Sequence, residues 1–323
     1  MGNSGRNIWL DGIMGVVVGD ALGVPYEFLS RDQLKLKPAV TMRGNGTYDM
    51  PAGTWSDDSS MTLAALASIR ECQKTGRSID FEDIMDRFKA WKQKGDYTPY
   101  GEMFDIGGTT LDAICRYERG DDIFSCGGTD ENDNGNGSLM RIMPFCLYAY
   151  ELQKSLEFSE KEAISLIHLG SGLTHNHIRS QIACGLYYFC ICAILDEKGS
   201  LMERLQSGIN RGWSYYKAVL EDPRELYNYN RCRKMESLKA IPERDIYSGG
   251  YVVASFTASF WSLLNSSDYA ESVLQAVNLG WDTDTTAAIT GGLAGLYYGY
   301  ETIPGEWLEK IARRDWIEGL CEG

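Results

Sequence analysis

The run NLGWDTDTTAAITGG, from Asn278 to Gly292, constrains this chain more than any other stretch. Two carboxylates, Asp282 and Asp284, are followed by the hydroxyls of Thr285 and Thr286, then by Ala287, Ala288, Gly291 and Gly292. Small side chains in a run without proline predict a helix that a second helix can approach closely. Residues two apart in a regular helix point to different sides. The two aspartates therefore converge only where loop becomes helix. Gly280 supplies the turn, so Asp282 is expected in that turn, with Asp284 and Thr285 opening the helix. One acid suffices for an N-cap. The second is surplus, and capping and metal binding both stay open for the pair.

The same grammar occurs earlier. Ile8 to Leu22 is apolar and reads as a buried helix, with Gly12, Gly15 and Gly19 allowing close approach, ended by Gly23 and Pro25. Glu27 follows among aromatics. Residues 31 to 53 read as loop and lead to Ser56, Asp57 and Asp58, again a hydroxyl and paired acids before a helix. Capping explains part of this cluster as well. Four carboxylates exceed what two caps need. Brought together without a cation, they would repel one another and raise each other's pKa. All-oxygen ligation points to Mg²⁺ or Mn²⁺, with Ca²⁺ possible. Asp57, Asp58, Asp282 and Asp284, with Ser56 and Thr285, suit two ions about 4 Å apart.

Helical spacing recurs over Phe81 to Lys94, from about Thr109, over Ser159 to Leu169, Ile178 to Leu195, Ser248 to Asn265 and Tyr269 to Asn278. Leu201 to Arg244 predicts one or two peripheral helices with a loop. Gly291, Gly295 and Gly299 recur every four residues, a smooth face for helix contact. No alternating strand pattern and no fixed-period repeat stands out. The chain, residues 1 to 323, is read as a single all-α domain. Asp105, before two glycines, is a cap candidate. Ser125 to Gly137 must be loop, and Gly135, Asn136, Gly137 and Ser138 lead into Leu139 and Met140. A glycine-rich lead-in to a helix exposes backbone N–H groups, a phosphate cradle, though a plain flexible turn fits the residues as well. His175 and His177 cannot share a helical face. One is expected at a site, the other as a cap or surface residue.

The formal net charge of −14 opposes binding to a phosphate backbone, so nucleic acid is not an expected partner. Nine cysteines without C-x-x-C spacing read as free thiols. The N-terminus lacks a signal layout, and Arg6 breaks the myristoylation pattern after Gly2. No run of about 18 apolar residues is read, so no membrane span is expected. A cytoplasmic location follows as an expectation.

The segments GDALGVPYEF, GTWSDDSSMTLA, YTPYGEMFDIGGTT, GNGSLMR, LTHNH, SGGYVVASF, NLGWDTDTTAAITGGLAGLYYG and IPGEWL, from Gly19 to Leu308, resemble the ADP-ribosylglycohydrolase family in the family's order. The resemblance implies an orthogonal bundle of helices and hydrolysis of an ADP-ribosyl bond on a modified protein, arginine first. By position it implies metal ligands Ser56, Asp57, Asp58, Asp282, Asp284 and Thr285. It places Glu27 near the metal centre and Asp105 near the leaving group. Gly135, Asn136, Gly137, Ser138, Leu139 and Met140 match the phosphate loop, and His175 matches a histidine on the ribose side. Asp57, Asp58 and Asp282, with Glu27 and Asp105, are the catalytic candidates. Trp281 stands where relatives often carry Gly. Some relatives are lens crystallins, so a binding or structural role without turnover is the rival reading. Phosphohydrolase chemistry and hydrolysis of an O-linked ADP-ribose are further alternatives.

Overall fold

Asn7 begins the first helix. Its side chain accepts hydrogen bonds from the amides of Trp9 and Leu10, and sixteen residues of helix follow. The computed structural model describes residues 6–322. Met1 to Gly5, read above for targeting signals, lie outside the described residues.

Among the described residues sixteen helices follow one another: α1 Ile8–Gly23, α2 Arg31–Leu36, α3 Asp57–Thr75, α4 Phe81–Lys94, α5 Gly108–Glu118, α6 Met143–Lys154, α7 Glu160–Gly172, α8 Ile178–Asp196, α9 Leu201–Val219, α10 Arg224–Tyr227, α11 Met235–Lys239, α12 Val252–Leu264, α13 Tyr269–Asn278, α14 Thr283–Tyr298, α15 Gly305–Leu308 and α16 Arg314–Glu322. Short 3₁₀ turns link several of them. Among the described residues there is no sheet, and the backbone pairs only at three isolated bridges. The expectation of an all-α fold holds. Local signals set most ends. Ser30, Ser159 and Ser200 each form a capping box with the Gln or Glu three residues on. Gly76 and Gly95 close α3 and α4 in the left-handed conformation.

The axis of the fold is the pair α1 and α14. A Cβ on Gly15 would lie 2.3 Å from the Gly291 carbonyl oxygen, and one on Gly19 2.2 Å from that of Ala287. At Gly23 it would lie 2.4 Å from the Asp284 Cα. Real Cβ atoms do not come this close to backbone, so only glycine permits the contact. Two expectations are corrected here. A Cβ on Gly12 would meet the side chains of Met143 and Leu296 rather than backbone. Gly299 is not part of the contact face. It ends α14 at φ +97°. The remaining helices wrap this pair, and the buried apolar side chains from Trp9 to Cys321 form one cluster.

Two segments, Ile8–Tyr26 and Ile178–Asp196, do reach the length and hydropathy of a membrane span, contrary to the reading from sequence. Both are more than four-fifths buried inside the protein. Helices apolar all round are what the centre of a large bundle requires. All nine cysteines are free thiols.

Candidate active site

Capping can now be separated from surplus charge. Ser56, in extended backbone, caps α3 by accepting from the Asp58 amide at 3.4 Å. Asp57 and Asp58 occupy the first helical turn and do not cap. Asp282 holds the N-cap position of α14, yet its side chain makes no capping hydrogen bond. It accepts instead from the Asn136 Nδ2 at 2.7 Å. Asp105 caps nothing either, because α5 starts from Gly107 without a side-chain cap.

The two acidic clusters meet across 227 residues of sequence. Thr285 Oγ1 donates to Asp58 Oδ1 at 3.1 Å. Asp58 is fully buried, and its Oδ2 has no hydrogen-bond partner. Asp20, Asp58 and Asp284 bring one carboxylate oxygen each to within 4.8 Å of one another. Glu27, Asp105 and Asp284 form a second such group. Asp57 and Asp282 lie outside these two tight groups. They line the same cavity of about 320 Å³ with Glu27, Asp105, Thr285, the 135–137 loop, Met140 and His175. Ser56 is buried at the cluster's edge. A buried carboxylate oxygen without a donor is costly unless something positive answers it. A donor set made only of oxygens fits a hard divalent cation.

Sequence reading missed two residues here. Asp20, inside apolar α1, accepts from the backbone N–H and the hydroxyl of both Ser56 and Ser59. It ties α1 to the start of α3. Its signal was an acid deep in an apolar run, nine residues past the first-turn Asp11. Tyr48 donates to Glu27 Oε2 at 2.6 Å from a loop that carried no chemical pattern.

Burial first, and neighbouring carboxylates second, push the pKa of Asp57, Asp58 and Asp284 well above the usual range. Burial also lifts Asp20 to about 6 and Glu27 to about 8. Both exceed the values these groups have in an unfolded chain. Between about pH 4 and 8 the folded protein therefore binds more protons than the unfolded one, and stability falls as pH rises. Without metal, the melting temperature in EDTA should drop by about 5 °C or more from pH 5 to pH 8. Added Mn²⁺ should recover more at pH 8 than at pH 5. A melting temperature in EDTA that stays level or rises over this range would refute the picture of crowded, uncompensated acids.

The glycine loop departs from expectation. No helix starts at Leu139. Residues 138–141 form turns, and α6 begins at Met143 with Pro144 in its first turn. Two loop amides are already committed, Asn136 to the Gly250 carbonyl and Met140 to that of Asn136. The loop is fixed by isolated bridges from Gly135 to Tyr251 and from Gly128 to His175. The histidines divide as their spacing required. His177 caps α8, accepting from the Arg179 amide. His175 is buried beneath the loop, where a Cβ on Gly137 would lie 2.7 Å from its ring. Trp281 is exposed at φ +65°. That conformation favours glycine, which accounts for the Gly that the resemblance led one to expect there.

Comparison with known proteins agrees with this geometry. A family model described as ADP-ribosylglycohydrolase matches residues 5–323. The chain is 28% identical over 312 residues to "ADP-ribosylarginine hydrolase Tri1" of Serratia proteamaculans, covering 96% of this chain and 76% of that protein. It is 28% identical over 304 residues to "ADP-ribosyl-[dinitrogen reductase] glycohydrolase" of Rhodospirillum rubrum, with 94% and 89% covered. A solved structure named "ADP-ribosylglycohydrolase-related protein complex" superposes with a TM-score of 0.77 at 28% identity, over 98% of this chain and 95% of that one.

Proposed function

The chain belongs to the ADP-ribosylglycohydrolase family, and from that premise we propose that it is a metal-dependent hydrolase that releases ADP-ribose from modified arginine side chains. The observation that carries the metal dependence is Asp58 Oδ2, buried and without a partner beside Asp20 and Asp284. Ser56, Asp57, Asp58, Asp282, Asp284 and Thr285 are the residues proposed to hold two divalent ions, Mg²⁺ or Mn²⁺. Such ions would orient ribose hydroxyls and lower the pKa of a bound water.

The chain's own groups divide the remaining work. Asn136 fixes the Asp282 carboxylate, and Thr285 fixes that of Asp58. The Gly135–Met140 loop and His175 form the wall on which the pyrophosphate and ribose are proposed to lie. Glu27, held by Tyr48, brings a carboxylate oxygen close to those of Asp105 and Asp284. Asp105 is half-buried on the cavity wall. A carboxylate there can pair bidentately with a departing guanidinium, a geometry that serine and acetyl esters do not offer. The bond at the anomeric carbon breaks through an oxocarbenium-like state. That two relatives bear names of ADP-ribosyl hydrolases acting on arginine or dinitrogen reductase supports this choice of substrate.

The test is release of free ADP-ribose from arginine-, serine- and acetyl-linked substrates side by side. Arginine-linked substrate should be cleaved fastest, and Asp105→Ala should slow it about tenfold or more, by loss of a charge-assisted pair, while sparing O-linked substrates. Release only from an O-linked substrate would overturn the arginine assignment. No release from any of them, with metal bound, would favour a binding or structural role.

A further inference from the structure

The motif residue Arg141 is left over from the reading above. It is fully buried, and among the described residues it forms no ion pair with a carboxylate. Its guanidinium donates to the Gly170 carbonyl at 3.1 Å and to Thr174 Oγ1 at 2.6 Å, and its face lies over Phe88. Thr174 Oγ1 in turn lies 2.8 Å from His175 Nδ1. A buried arginine without a carboxylate partner is costly, and this one is spent on a threonine that touches the cleft histidine.

The direction of this chain is fixed by chemistry. A guanidinium has donors only. Thr174 Oγ1 therefore accepts from Arg141, and among the described residues its single proton finds no acceptor other than His175 Nδ1. Nδ1 is then the acceptor, and in a neutral ring the proton sits on Nε2. The ring is neutral because burial, with Arg141 close by, lowers its pKa to about 3. Nε2 has no hydrogen-bond partner among the described residues and lies on the Gly135 and Gly137 side, where a Cβ on either would be 3.3 Å away. His175 lines the cavity there.

We propose that Arg141 and Thr174 are positioning residues that lock His175 as the Nε2–H tautomer, so that it presents a neutral N–H donor to an acceptor oxygen of the ADP-ribosyl group. The inference rests on the ligand class proposed above. A neutral donor suits this place. It holds its proton across the working pH range, and it adds no cation that would compete with bound metal.

The chain has three histidines, so ¹⁵N-histidine labelling resolves the tautomer directly. Wild-type protein at pH 7.5 should show His175 with an unprotonated Nδ1 and a protonated Nε2. Thr174→Val keeps the shape of the side chain and removes the relay. It should shift His175 toward a mixture of tautomers and weaken ADP-ribose binding by about tenfold or more, the cost of losing a hydrogen bond to a charged group. Thr174→Ser should restore both readings, which a purely structural role for the threonine would not require. An Nδ1–H tautomer in the wild type overturns the relay, whether or not Thr174→Val folds. So does a folded Thr174→Val with unchanged tautomer and affinity. A wild type with the expected tautomer that binds no ADP-ribose refutes the ligand class and the donor role, and leaves the Arg141–Thr174–His175 relay standing.

Discussion

Asp58→Asn should lower metal-dependent release of ADP-ribose by about a thousandfold, while the protein melts in EDTA no lower than wild type. The activity loss follows from charge. Bound divalent ions supply several kcal/mol of transition-state stabilisation, and each ~1.4 kcal/mol is a factor of ten. The stability argument runs the other way. Asp58 is fully buried beside Asp20 and Asp284, and burial first, then the charges of Asp20, Asp57 and Asp282, push its pKa up. An amide keeps the oxygen that accepts from Thr285. It also offers N–H donors to neighbouring carboxylate oxygens and removes one negative charge from the group. Thermal melts with and without Mn²⁺ separate the two effects. The variant should gain little from Mn²⁺, whereas wild type should gain several degrees. A variant that is inactive and also several degrees less stable in EDTA would place Asp58 among structural residues instead.

The local part of this fold could be read from the chain, because it is encoded locally. Phe81–Lys94 is found at the boundaries that its apolar spacing and basic end predicted. The turn at Asp282 and the helix from Thr283 follow from Gly280 and the small residues after it. The pairing of the two acidic clusters could be argued only from electrostatic surplus. Asp58 and Thr285 touch because α1 holds α14 in register, and no local pattern records that contact. Asp20 shows the limit well. In sequence it is an acid in the last turns of an apolar helix, with no serine or threonine near it. Its four donors arrive from Ser56 and Ser59 after the fold has formed. Tyr48 was hidden for the same reason, since its loop has no periodicity to place its hydroxyl on Glu27. The glycine loop misled in the other direction. Its composition suggested a free row of amides at a helix start, but tertiary bonds to Gly250 and within the loop claim part of that row.

Gly19→Ala should unfold the protein far more than its local chemistry suggests. In an isolated helix, alanine is favoured over glycine by about 1 kcal/mol, so helix propensity alone predicts a gain. The contact with α14 reverses the sign. The new Cβ would stand 2.2 Å from the Ala287 oxygen and 2.7 Å from its carbonyl carbon, all backbone atoms that cannot rotate away. The helices would have to separate along the backbone contact between α1 and α14. Overpacking of a core costs about 1–3 kcal/mol where side chains can move, and the loss here should be about 3 kcal/mol or more because backbone must move instead. The same displacement reaches the site, since Asp20 follows Gly19 directly and Asp284 opens the helix that is pushed away. Gly76→Ala is the matched control. It lies at φ +65° with nothing within 4 Å of a new Cβ, so it should cost about 1 kcal/mol of backbone strain and leave turnover unchanged. Urea unfolding of the two variants against wild type measures the difference. Equal losses would mean that α1 and α14 yield easily. The close approach would then no longer explain how Asp20, Asp58 and Asp284 are held at one point.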